Sequence, residues 1–128
     1  MIAAVQLRPA AGIGAEFGEQ AAAEFGEQAA AALRVLAGRP GFRRGSLGRA
    51  TDDSTAWLLL TEWDSVGAYR RALGGFEVKL QATPVLAQAL DQPSAFEELL
   101  VIDDSGAEHR AASDRAPDAD WAPRHPSG

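Results

Sequence analysis

The run TAWLLLTEW at residues 55–63 constrains this chain more than any other stretch. Side chains of an extended strand alternate between two faces. Trp57, Leu59, Thr61 and Trp63 therefore share one face, and Leu58, Leu60 and Glu62 the other. Both faces are largely apolar, and such a strand belongs inside a sheet with cover on each side. The remainder of the chain must supply its edge partners and its cover.

Three further runs can pair with it. Residues 2–7 form a short apolar strand closed by Arg8 and Pro9, with Val5 and Leu7 on one face. FRRGSLGRA, residues 42–50, precedes the polar turn Thr51-Asp52-Asp53-Ser54 and should form a hairpin with 55–63. Strict alternation would place Arg44 with Phe42, and Arg43 with Leu47 and Arg49. FEELLVI at 96–102 reads as the last strand.

Helices fall between these runs. Residues 15–22 and 23–30 are the same octapeptide, AEFGEQAA. Eight residues rotate a helix by about 80° net, so the copies present overlapping, rotated faces. Phe17, Ala21, Phe25, Ala29, Leu33 and Leu36 then make one drifting apolar stripe. A slipped duplication lengthening a single amphipathic helix accounts for it, and Gly38 and Pro40 should stop that helix near Ala37. Asp64 or Ser65 can cap a second helix running to about Leu73, where Gly74-Gly75 ends it, with Val66, Tyr69 and Leu73 facing inward. Residues 76–81 fit either class. Thr83 and Pro84 open a short helix through Leu90. This order predicts an α+β fold: a ferredoxin-like antiparallel sheet with helices on one face. The second face then needs cover, for which another copy of the chain is the candidate.

From Asp103 the composition turns polar and rich in Ala, Asp and Pro. The expected organisation is a domain over residues 1–102 and a disordered acidic tail over 103–128, where Trp121 is the sole large apolar group. Half of the net charge of −6 lies in that tail. An acidic chain is a poor ligand for nucleic-acid phosphates. No run approaches a membrane span and the first residues do not read as a secretory signal, so a cytoplasmic setting is expected, with no membrane partner. The absence of cysteine excludes disulfides, thiolate nucleophiles and thiolate metal sites. Lys79 is the only lysine against eleven arginines, and asparagine is absent, as in GC-rich genomes. The only histidines, His109 and His125, lie in the expected tail. Neither a metal centre nor a serine triad is therefore indicated, and Gly12-Ile13-Gly14 is not a phosphate loop. Asp52-Asp53 and Glu97-Glu98 are adjacent pairs, which point to opposite faces in a strand and suit acid–base work poorly.

Three segments together resemble the antibiotic biosynthesis monooxygenase family of dimeric α/β barrels: RPGFRRGSL (39–47), WLLLTEWDSVGAYRRAL (57–73) and FEELLVID (96–103). The resemblance covers roughly residues 1–103 and implies a homodimeric α/β barrel. Haem-degrading members carry a histidine nine or ten residues beyond the strand-ending tryptophan, where this chain has Ala72 and Leu73, and an asparagine on the first strand. Quinone-forming members oxidise phenols and anthrones with oxygen and no metal or flavin. They carry a tryptophan and a tyrosine six residues apart, matched by Trp63 and Tyr69, while Leu59 stands about where their asparagine would be. The resemblance therefore implies cofactor-free oxidation of a small aromatic substrate, with no cofactor or metal.

That chemistry asks little of a protein. A phenol must lose a proton, and its anion must meet oxygen in a dry pocket. A cation nearby favours the anion, a phenol or indole N–H orients substrate oxygens, and aromatic faces stack the rings. Tyr69 and Trp63 are the candidate catalytic residues. Trp57 with Arg43, Arg44 or Arg71 are the candidate substrate-binding residues. The competing reading makes the tryptophans core and the arginines solvated edge charges. At the level of function, a non-catalytic ligand-binding or interaction module, or a polyketide cyclase, would use the same scaffold.

Overall fold

The computed structural model describes residues 1–9 and 15–111, excepting the side chains of residues 15–17. The chain divides into two compact units, one spanning Met1–Glu97 and one beginning at Glu98.

The first unit is built on β3 (Trp57–Trp63), which pairs antiparallel with β1 (Ile2–Leu7) on one edge and β2 (Phe42–Arg49) on the other. β4 (Ala95–Phe96) completes the sheet order β2-β3-β1-β4. Upstream of β4, Arg8 N–H donates to the Gln88 carbonyl, Leu90 N–H to that of Gln6, and Ala4 N–H to that of Ser94, so residues 88–94 satisfy the edge of β1. The strand with two apolar faces is thus internal, as its sequence requires.

Four helices cover one face: α1 (Ala15–Ala37), α2 (Val66–Leu73), α3 (Phe76–Gln81) and α4 (Thr83–Leu86). Their buried residues Phe25, Ala29, Ala32, Leu36, Ala68, Ala72, Val78 and Val85 pack on Val5, Leu7, Leu59 and Trp63. The result is the expected α+β arrangement of an antiparallel sheet under one layer of helices. The opposite face carries Ile2, Ala4, Leu58, Leu60 and Phe96, with Gln6 and an Arg44–Glu62 ion pair beside them. Leu58 and Phe96 are exposed there. No helix among the described residues is long and apolar enough to cross a membrane.

Local signals fix the element ends. α1 stops at Ala37 as Gly38 and Pro40 require, although the left-handed turn falls on Gly41 (φ 89°). A Cβ on Gly41 would also lie 2.5 Å from that of Ala68, so glycine alone serves where the chain enters β2 under α2. Ser65 caps α2, its hydroxyl accepting from Ala68 N–H at 3.0 Å, and Gly74 closes it. The ambiguous segment 76–81 is helical: Val78 and Ala82, four positions apart, are buried, while Phe76 and Leu80, which a strand would place on the face of Val78, stay exposed. The short helix that follows ends at Leu86 and not at the expected Leu90, and Thr83 is its first residue and not its cap; Ala82 holds the cap position with no side-chain hydrogen bond.

Two further expectations fail for identifiable reasons. β2 is not regular: Phe42 opposes Trp63, but Arg44 opposes Glu62, so a bulge at Arg43 inserts one residue. Beyond it the faces exchange. Phe42, Leu47 and Arg49 lie on the helix side, and Arg44 lies on the open side rather than with Phe42. The run 96–102 is not one strand. Phe96 ends β4, while β5 (Leu100–Ile102) pairs with β6 (Glu108–Arg110) in a hairpin of the second unit. The expected boundary at 102/103 thus falls inside that hairpin. Residues 112–128, with Trp121 and His125, lie outside the described residues.

The hairpin turn is organised by Asp103. Its carboxylate accepts from the Ser105 hydroxyl and N–H, from Ala107 N–H, and faces His109 Nε2 at 3.2 Å. These partners, the Ser105 hydroxyl foremost, lower its pKa from 3.8 to about 2. A carboxyl lowered on folding lends stability above its unfolded value and loses it as pH falls through the folded one. Amide shifts of residues 100–110 should hold above about pH 4 and collapse toward pH 2. Asp103→Ala should remove that transition in an NMR titration.

Candidate functional site

Trp63 ends β3 with its side chain wholly buried under the helices. Its indole N–H donates to the hydroxyl of Thr61 at 2.8 Å, two residues earlier on the same face. A buried N–H without an acceptor is costly, so Thr61, itself 2% exposed, is the only buried polar side chain among the described residues for a structural reason. Phe42 meets the indole edge-on at 5.3 Å between ring centres. Tyr69 meets it at 5.6 Å, tilted by 51°.

The first turn of α2 sets Tyr69 in place: Ser65 caps the helix and its carbonyl accepts from Tyr69 N–H at 3.2 Å. The ring is half-buried, and its hydroxyl makes no hydrogen bond among the described residues. Burial pushes the phenol pKa above its ordinary value of 10.0. At neutral pH Tyr69 is therefore a protonated donor with a free hydroxyl, set against an aromatic wall. That suits it to hold a substrate oxygen, not to remove a proton.

Trp57 lies at the far end of the same strand. Six residues of strand separate it from Trp63 by about 20 Å, so one small substrate does not span both. Trp57 packs edge-on to Phe25 at 5.4 Å, and the Arg49 guanidinium sits 4.9 Å from its ring centre. Arg49 also donates through Nε to the Ser54 carbonyl at 2.7 Å. Beside it Arg8 contacts Thr55 at 2.7 Å and Asp53 at 3.1 Å. The hairpin end thus has its own aromatic–cationic cluster.

The sequence-selected arginines go elsewhere. Arg43 reaches Asp64 at 3.9 Å and Arg44 pairs with Glu62 at 3.2 Å on the open face. Arg71 is exposed, its Nη1 lying 3.2 Å from where a Cβ on Gly67 would stand. None of the three bonds to Tyr69. Of the six candidates the structure brings together Trp63 and Tyr69. Sequence reasoning missed Phe42 as a third ring, Thr61 as the indole acceptor and Arg49 as the partner of Trp57. The Thr61 signal was present, since it shares a face with Trp63 two residues away; those of Phe42 and Arg49 depend on the bulge and the hairpin register.

An antiparallel sheet with one helix-covered face and an aromatic wall at the end of its internal strand defines a ferredoxin-like α+β domain. Residues 2–79 match the antibiotic biosynthesis monooxygenase family, and the chain belongs to it. The match takes in every sequence-selected site residue. Among solved structures the chain is similar to SnoaB from Streptomyces nogalater, a cofactor-independent oxygenase. A variant of that protein is 26% identical over 70% of this chain and 83% of its own, with a TM-score of 0.54. Another SnoaB structure gives 24% identity over 77% and 93%, with a TM-score of 0.55. A conserved protein from Methanosarcina mazei shares the fold at 13% identity over 73% and 84%, also with a TM-score of 0.55. No curated protein sequence matches the chain.

Thr61→Val keeps the shape and removes the indole acceptor. It should cost about 1–3 kcal/mol in chemical denaturation. In a Trp63→Phe background, where no N–H is left unpaired, the same change should cost markedly less.

Proposed function

We propose that the protein is a cofactor-independent oxygenase of phenolic, aromatic-polyketide-type small molecules in secondary metabolism, and that it works as a homodimer. The observation that carries this reading is Tyr69: a half-buried, protonated phenol whose hydroxyl makes no hydrogen bond among the described residues, set against the Trp63 ring that Phe42 also meets. The 26% identity to a cofactor-independent oxygenase supports it.

An anthrone serves as the type substrate. Loss of a proton from its methylene carbon to solvent gives an electron-rich enolate. Tyr69 donates a hydrogen bond to the enolate oxygen and holds the anion in place. Oxygen adds at the carbanion carbon, and loss of water leaves a carbonyl there. One anthrone and one O₂ give one quinone and one water: the carbon supplies four electrons, and one oxygen atom ends in each product. Trp63 is a positioning residue in this scheme, because its N–H is engaged by Thr61 and its surface is covered.

Oxygen uptake by metal-stripped protein offered dithranol tests the reading. Wild type should consume oxygen above the spontaneous rate, and Tyr69→Phe should lower kcat about a hundredfold, as loss of one oxyanion donor does. Trp63→Phe should lower it less. Absence of enzyme-dependent uptake would transfer the assignment to a small-ligand-binding module or a polyketide cyclase.

The homodimer reading rests on the open sheet face. Ile2, Ala4, Leu58, Leu60 and Phe96 form an apolar surface that a second sheet would cover. Light scattering at micromolar concentration should report a dimer, and Leu60→Arg at the centre of that surface should report a monomer. A wild-type monomer would refute the assembly.

A further inference from the structure

A cleft of about 530 Å³ lies between α1 and α3, and none of its lining residues belongs to the Trp63–Tyr69 cluster. Ala31 and Val35, half-buried on α1, give it an apolar floor. Arg34 and Arg39 stand on one side. Glu77 and Gln81, one turn apart on α3, stand on the other. Three charged side chains share this cleft, yet among the described residues none of them forms an ion pair.

Arg39 also rests against the neighbouring turn. A Cβ on Gly75 would lie 3.2 Å from its Cζ and 3.3 Å from its Nε, and 3.3 Å from the Ala72 carbonyl oxygen, so the guanidinium lies along the α2–α3 turn.

We infer that this cleft binds a small aromatic monocarboxylate bearing a distal hydroxyl, at a site separate from the proposed oxygenase site. Guanidinium forks match a carboxylate in plane and charge. The alanine–valine floor accepts a flat ring, and Glu77 accepts from a hydroxyl at the far end while repelling ligands of higher negative charge. The volume is that of a small-molecule site and exceeds what a lone inorganic anion fills.

The test is a titration of ¹⁵N-labelled full-length protein with 4-hydroxybenzoate, benzoate and inorganic phosphate. At millimolar 4-hydroxybenzoate, amide shifts should map to residues 31–39 and 75–81. Arg39→Gln and Arg34→Gln should each weaken binding about tenfold, the scale of one lost charge-assisted hydrogen bond. Glu77→Gln should weaken 4-hydroxybenzoate but not benzoate. Shifts confined to the surroundings of Tyr69, or none, would overturn the site. So would an unchanged affinity in both Arg39→Gln and Arg34→Gln. Phosphate bound as tightly as 4-hydroxybenzoate would reduce the cleft to a nonspecific cationic patch. Oxygen uptake by the same Arg39→Gln protein separates the two assignments, because the cleft variant should leave it at the wild-type rate.

Discussion

The indole of Trp63 is the point on which the first unit closes. It is fully buried, so its N–H must be satisfied inside the protein, and Thr61 on the same strand does so. Its backbone exchanges hydrogen bonds with Met1 at the start of β1. Its ring receives Phe42 from β2 and Tyr69 from α2. One residue thus joins three strands and a helix, through its backbone to β1 and through its side chain to β2 and α2. Thr61 and Trp63 must share a face for the bond to form, so any one-residue slip of β3 would turn both onto the open side together with Leu59. The register of the sheet and the position of Tyr69 are consequences of the same burial.

The duplicated octapeptide meets this frame unequally. In the second copy Phe25 is buried and Gly26 lets Trp57 approach: a Cβ there would stand 3.3 Å from the indole. In the first copy the equivalent Gly18 has open space around it, and Glu19 and Gln20 are exposed. Eight residues move about 12 Å along a helix and turn it by about 80°. An identical sequence therefore cannot make the same contact twice. The second copy is a packing segment, and the described part of the first lengthens α1 without a matching contact on the sheet.

Much of this was legible in the sequence where a local rule decides the outcome. Period-two apolarity identified the internal strand, and Ser65 and Gly74 bounded α2; the pairing of Trp63 with Tyr69 came from the family resemblance. The rest depends on partners far apart in the chain. The bulge at Arg43 breaks an alternation that the sequence alone presents as regular, and this sends Arg44 to the open face. The run from Phe96 to Ile102 is apolar without period and holds no mark of where its hydrogen-bond partners change. Arg49 meets Trp57 only through the hairpin register. The Arg34–Glu77 cleft exists only because residues 76–81, whose apolar positions fit either class, become a helix beside α1.

The charges of this unit are kept apart from the aromatic wall. Arg43, Arg44 and Arg8 each face a carboxylate at the surface, and Arg49 is held on Trp57 at the far end of β3. Near Trp63 the polar group with bonding capacity left is the Tyr69 hydroxyl. A neutral donor in a poorly hydrated setting stabilises a developing oxyanion more than it would in water, where solvent competes. It also needs no counter-charge, and so has no ion pair to break when substrate enters. The proposed cofactor-free oxidation would suit such a site, because its electrons would come from the substrate anion itself. Under that proposal the protein would have only to hold the anion's oxygen and exclude water around the carbon that meets O₂. Buried rings beside the Tyr69 hydroxyl would be a minimal arrangement for that task. The same reasoning explains why the cationic residues can be committed to the surface and to Trp57 without depriving the site of what its chemistry needs.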